Sequence, residues 1–180
     1  MSEFSESYHL KADTTHAGVS LLQRAGLSGF VFSASNGWVT VLPEGEPFSP
    51  NAALISANDS ILLYYMNAED HGWAFAVYVN AAPQASYSCA WDESIQVQQP
   101  LDIARFETVV GPVLSPLGAE KLRTVFEPRN FEELFETAPA YAFAEAVGLK
   151  NFEWISFEYL MTDKERGESN FESVIFVARQ

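Results

Sequence analysis

Apolar and polar positions alternate most regularly between residues 60 and 92, SILLYYMNAEDHGWAFAVYVNAAPQASYSCAWD. Residues 61–66 are apolar throughout, as in a strand covered on both faces. The polar run Asn67-Ala68-Glu69-Asp70-His71-Gly72 allows a reversal. Beyond it, Trp73, Phe75, Val77 and Val79 alternate with Ala74, Ala76 and Tyr78. After a break at Ala82-Pro83, Tyr87, Cys89 and Trp91 alternate with Ser86, Ser88 and Ala90. A period of two predicts a three-stranded antiparallel meander with one bulky face and one small-residue face. A smooth Ala/Ser surface lets a helix approach closely, so helix is expected to cover that second face.

Upstream, Tyr8, Leu10 and Ala12 alternate with His9 and Lys11, which suits a first strand. Asp13-Thr14-Thr15 offers oxygens to cap a helix carrying Ala17, Leu21, Leu22 and Ala25 on one face and ending at Gly26. Asn36-Gly37 between two apolar runs is a hairpin signal, because a two-residue turn of the required hand needs positive φ twice. It predicts paired strands over 29–34 and 38–42. Residues 43–49 form a loop, and Ser49-Pro50 opens a short helix containing Ala53, Leu54 and Ala57, closed by Asn58. The order of the first part is therefore β-α-β-β-α-β-β-β.

After Asp92 the pattern changes. Residues 94–100 read as a polar connector, followed by helices over 103–110 and 115–126. Asn130 with Glu133 three residues on is a capping box for a helix that Pro139 interrupts and Gly148 ends. In the last thirty residues, Ile155, Phe157, Tyr159 and Met161 alternate with Trp154, Ser156, Glu158 and Leu160, which predicts a strand. A charged turn over 162–170 and a strand over 171–178 would complete a C-terminal β-hairpin. The expected fold is α+β: a mainly antiparallel sheet, a three-helix insertion and that hairpin. Residues 1–93 form the first part and residues 94–180 the second, packed together as one domain.

Charge alters the picture more than composition does. The 180 residues carry 24 acids against 10 bases, for a net charge of −14. No Lys or Arg lies between Arg24 and Arg105, an interval that holds Glu44, Glu46, Glu69, Asp70 and Asp92 in expected loops. Such a surface repels nucleic acid and anionic lipid and attracts basic partners. The single cysteine excludes an intramolecular disulfide. The first twenty residues lack a basic start and an apolar run, and no stretch is long enough to span a membrane, so a cytoplasmic protein is expected.

Candidate chemistry is sparse. Glu69-Asp70-His71 could act as an acid/base pair or metal ligands, but neighbours in a turn point apart and a metal wants three or four convergent ligands. Asp13 and His16, three apart, suit a local helix cap. Cys89 falls mid-strand, where a buried inert thiol is the ordinary outcome. Glu153 and Glu158 would lie on opposite faces of the expected strand, which argues against a glycosidase pair. No nucleophile elbow, phosphate loop, dinucleotide fingerprint or Cys-x-x-Cys occurs. The reading is a non-catalytic interaction protein of the inhibitor or immunity kind, without cofactor, binding a basic protein through Glu44, Glu46, Glu69, Asp70 and Asp92. The alternative is a small-molecule binder or hydrolase with a pocket near His71, Trp73 and Trp91. Homodimerisation by a sheet edge is compatible with both.

Overall fold

The meander expected from the period of two is present in the computed structural model, which describes residues 2–110, 124–168 and 173–179. Its strands are β4 (Ile61–Ala68), β5 (Gly72–Val79) and β6 (Ala82–Trp91), preceded by β1 (Phe4–Lys11), β2 (Gly29–Val31) and β3 (Trp38–Pro43). Helices α1 (Thr15–Ala25) and α2 (Ala52–Ser56) fall where the sequence order puts them. With β7 (Ile95–Gln99) and β8 (Ile175–Val177), the strands form one antiparallel sheet in the order β7-β6-β5-β4-β1-β3-β2-β8. The protein is an α+β fold whose second part adds one strand to each edge of the sheet built by the first.

Local chemistry accounts for most boundaries. Asn36 and Gly37 have φ of 54° and 75°, the positive pair that a two-residue hairpin turn demands. Gly26 ends α1 in the left-handed conformation, but Thr14 at its N-cap makes no side-chain capping bond. The cap of α2 is Asn51, not Ser49: its side chain accepts from the amides of Ala53 and Leu54, so the helix starts after Pro50. Pro83 does not break β6. Val77 pairs with Ala85 and Tyr78 with Pro83, so Gln84 is the extra residue of a bulge, where a missing ladder donor is tolerated.

In the second part, α3 (Ile103–Val110) matches expectation, and residues 124–126 are helical. Most of the helix expected over 115–126 lies outside the described residues. Two further helices follow, α4 (Phe131–Thr137) and α5 (Pro139–Val147), divided at Ala138, whose φ is 42°. The Asn130 side chain accepts from the Glu133 amide at 2.8 Å. The Glu133 carboxylate, however, accepts from the backbone and side chain of Arg129 rather than closing a reciprocal box. Asn130→Ala is expected to lower stability by about 1 kcal/mol, measured by urea unfolding, because α4 then loses its N-terminal acceptor.

Three expectations are corrected. Residues 95–99 form edge strand β7 instead of a connector, paired with β6 from Trp91↔Ile95 to Ser88↔Gln99. The expected strand around residues 155–161 is helix α6 (Phe157–Arg166), so the C-terminal hairpin reduces to the single strand β8 on β2. Ser156 caps α6 by accepting from the Tyr159 amide, Glu158 sits in its first turn, Lys164 and Arg166 in its last, and Gly167 ends it. These end signals outweigh a short alternation that a helix can also satisfy. Finally, the helices of the second part cover the bulky face of the meander, and the small-residue face meets the cluster of α1 and α2 only in part, through Ala76 and Tyr78. Trp73, Phe75 and Tyr87 are buried under α3, α5 and residues 125–126, while Ala74, Ser86, Ser88 and Ala90 stay half-exposed. Large aromatics gain most from removal from water, so they draw the helical layer.

The same face contains a polar seam. Ser5, Ser7, His9 and Thr40 are all buried along β1 and β3. On one side of the seam lies the aromatic core, and on the other Phe30, Phe32 and Leu42 pack against Ile155 and Leu160. The connection over residues 148–156 crosses it and satisfies it: the Ile155 amide donates to Ser5 Oγ, Glu6 N–H donates to the Ile155 carbonyl at 2.7 Å, and Asn151 donates to Thr40 Oγ1. On the opposite face α1 and α2 bury Leu21, Leu22 and Leu54 against Val31, Val39, Val41 and Leu62.

Candidate functional site: an acidic, aromatic-walled cleft

Strand register brings several acidic segments to one end of the sheet. Phe4 lies opposite Ala68, Ala68 opposite Gly72, and Gly72 opposite Ala90. The start of β1, the β4–β5 turn and the β6–β7 turn therefore emerge together. Gly72 has a φ of 146°, and a Cβ there would stand 2.4 Å from the Cys89 carbonyl oxygen, so the turn needs glycine to lie against β6. His71 completes that turn through its main chain, its amide donating to Ala68 O and its carbonyl accepting from the Trp91 amide.

Between this end of the sheet and the α4–α5 junction lies a cleft of about 540 Å³. Its polar rim carries the side chains of Glu3, Asn67, Glu69, Asp70, Asp92 and Tyr141. Its walls are Trp91, Phe131, Leu134, Phe135 and the stretch around Pro139. Among the described residues no Lys, Arg or His lines it. Phe131 and Phe135, one turn apart on α4, have nearly parallel rings, 21° between planes and 6.0 Å between centroids. Phe135 is 62% exposed, an unusual position for a phenylalanine on so charged a protein.

The rim is held from within. Glu3 is buried, and its carboxylate accepts from Ser5 Oγ, from the Trp154 amide and from Tyr141 OH. Burial, reinforced by the Glu3 hydrogen bond and charge, pushes the Tyr141 phenol well up, so it stays a neutral donor. Glu3 and Glu69 are also joined by two bonds: the Glu3 amide donates to the Glu69 carboxylate Oε2 at 2.9 Å and the Glu69 amide to the Glu3 carbonyl at 3.0 Å. Trp91 Nε1 donates to Glu69 O at 3.0 Å, and Ser2 Oγ donates to Asp70. Asp92 makes no hydrogen bond or ion pair among the described residues. The ion pairs that are described, Arg24–Asp59, Arg129–Glu133 and Arg179–Glu44, involve none of the rim acids.

Of the acids singled out from sequence, Glu69, Asp70 and Asp92 meet at this cleft. Glu44 and Glu46 do not. Glu44 is paired with Arg179 at 3.6 Å, and Glu46 lines a separate shallow notch beside Glu6, Tyr8 and Phe157. In that notch burial, together with the nearby Glu158 carboxylate, raises the Glu6 pKa against the lowering effect of its bond from Tyr64. The residues of the alternative pocket divide between two places. Trp91 lines the cleft, whereas His71 and Trp73 both line another depression beside Phe48 and Met66, where the Trp73 side chain is only 1% exposed.

The remaining candidates also stay apart. Among the described residues, no three His, Cys, Asp or Glu side chains are grouped to hold a metal ion. Cys89 is buried, and burial pushes its thiol pKa up, away from the thiolate a nucleophile needs. His16 contacts Ser20 on the surface of α1, not Asp13. Glu158 belongs to the first turn of α6, so the opposite-face argument for Glu153 and Glu158 no longer applies.

Sequence reasoning missed Glu3, Phe131, Phe135 and Tyr141 as site residues. For Glu3 a signal existed, since Glu3, Ser5, Ser7 and His9 alternate with Phe4, Tyr8 and Leu10 and extend the first strand to the N-terminus. For the α4 aromatics none did, because a helical period does not say which side will face a cleft.

No described helix is long and apolar enough to cross a membrane. No family model, curated protein or solved structure matches this chain, so its function is argued from its own residues.

Proposed function

We propose that this chain is a non-catalytic acidic binding protein whose partner is a basic protein, in the manner of an inhibitor or immunity protein. The observation that carries the reading is a cleft with a carboxylate rim, no basic side chain among its described lining, and aromatic walls. Carboxylates with no cation beside them among the described residues keep their charge available for a partner, and a net charge of −14 adds a long-range field that speeds encounter with a positive surface. Exposed aromatic area beside that charge supplies the apolar contact on which interface energy concentrates. The same field disfavours nucleic acid.

The test is a comparison of variants in a pull-down from native lysate. Wild-type protein is expected to retain a basic protein that raised salt releases. Asp70→Lys with Asp92→Lys should weaken retention at least about tenfold and flatten its salt dependence. Glu44→Lys with Glu46→Lys, outside the cleft, should leave it nearly intact. Equal retention by the wild type and the Asp70/Asp92 variant rejects the reading.

A second reading is favoured by the volume alone, because about 540 Å³ lies in the range of small-molecule sites. In that case a small organic cation would occupy the same cleft, and Trp91 would be the only member of the sequence-derived pocket to touch it.

A further inference from the structure

We infer that the cleft takes an arginine side chain of the basic partner, its guanidinium paired with Asp92 and Asp70 and stacked on the Phe131–Phe135 ledge. This rests on the proposed partner being basic and goes on to say which basic group the cleft selects. The charge argument comes first. Asp92 has no partner among the described residues, and Ser2 engages only Oδ2 of Asp70, so both acids keep oxygens free to accept. The C-terminal end of α4 and the N-terminal end of α5 meet at Ala138, so their opposite end charges offset and the carboxylates set the sign of the site.

The walls then separate arginine from lysine. An ammonium group is compact and strongly hydrated, so apolar walls offer it little. A guanidinium is planar, weakly hydrated, stacks on rings and binds carboxylates with two parallel bonds. The Phe131 and Phe135 rings lie nearly parallel, and Phe135, largely exposed among the residues that line the cleft, offers aromatic surface beside the acids. Leu134 and Trp91 give an apolar surface for the aliphatic stem of the side chain. A cleft of this volume accommodates the arginine together with a flanking residue of the partner.

The experiment titrates three blocked pentapeptides into the isotopically labelled full chain: Gly-Arg-Gly-Arg-Gly, its lysine counterpart and its uncharged citrulline counterpart. The reporter is the assigned indole N–H signal of Trp91, which is hydrogen-bonded to Glu69 at the rim. The arginine peptide is expected to shift that signal and to bind about fivefold more tightly than the lysine peptide. The citrulline peptide should leave it unmoved. Phe135→Ala should bring arginine affinity down to the lysine value without changing the latter. Equal arginine and lysine affinities at this signal would overturn the arginine preference while leaving a basic partner in place. No shift with either cationic peptide would overturn the inference. Lysate retention that is also indifferent to the Asp70/Asp92 reversals would remove the underlying reading too.

Discussion

Phe75→Ala is expected to lower the stability of the protein by about 3–5 kcal/mol, the cost of emptying a large aromatic position that cannot collapse. Phe75 is 1% exposed, and its ring stacks on that of Phe143 at 4.2 Å and 17°. The rings of Trp73, Tyr87, Phe106 and Phe126 surround it with centroids 5.4 to 6.2 Å away. These partners come from β5, β6, α3, α5 and the short helical stretch at residues 124–126, so no single element can move to refill the space. Aromatic pairs add about 0.5–1.5 kcal/mol each beyond the area they bury. A domain of ordinary stability holds only about 5–15 kcal/mol in total, so the variant should lose a large share of it. Denaturant unfolding measures the loss. A change below about 1 kcal/mol would mean that the helical layer repacks and that the aromatic cluster is not what fixes it to the sheet. Phe135→Ala, at a cleft-lining position that is 62% exposed, should change stability by less than about 0.5 kcal/mol, which keeps it usable as a binding variant.

A second large effect is expected from pH, through His9. The imidazole is fully buried, with Nε2 2.9 Å from Ser7 Oγ and Nδ1 3.2 Å from Thr40 Oγ1. Burial pushes its pKa down to about 3, from an ordinary value of 6.5. The folded protein therefore keeps His9 neutral in a range where the unfolded chain protonates it. Below pH 6.5 the unfolded state binds the extra proton, and stability falls as pH falls, by about 1.4 kcal/mol per unit until the folded pKa is approached. At pH 5 the loss from His9 alone is about 2 kcal/mol.

Glu6 acts in the opposite sense. Its folded pKa is raised, so its contribution is complete below the unfolded value of 4.5 and is lost as pH rises through the folded one. The clean measurement is therefore the difference between wild type and His9→Gln or His9→Asn, whose amides can bond Ser7 or Thr40 without titrating. The gap between wild type and variant should narrow by about 2 kcal/mol from pH 7 to pH 5. Parallel pH profiles would mean that His9 does not titrate differently in the two states.

The polar seam that holds His9 also bears on the cleft. Glu3 heads the same row of β1 residues, and the connection that satisfies Ser5 places the Trp154 amide on Glu3. The carboxylate that anchors Tyr141 at the rim is thus fixed by the interior of the fold, whereas Asp70 and Asp92 stand on turns. A binding site with a rigid base and free outer acids can hold its shape while presenting charge.

What could be read from residues alone was local. The Asn36-Gly37 hairpin, the meander, the Asn130 cap and the breaks at Pro139 and Gly148 follow from turn chemistry, side-chain period and capping, each decided within a few residues. What only the tertiary structure decided was non-local. Residues 157–166 carried end signals for a helix and an alternation for a strand, and the apolar patch of Phe30, Phe32 and Leu42 beyond the polar seam is where the helix found its packing. Residues 95–99 became a strand because β6 left an open edge to pair with. Asp92, Glu69 and the α4 aromatics came to share one cleft through sheet register and the placing of the α4–α5 junction. Glu44, just as acidic in sequence, was drawn instead to Arg179 beyond the far end of β8. Charge and period are properties of a segment, but proximity belongs to the whole chain, since it depends on which distant surfaces gain most by leaving water together.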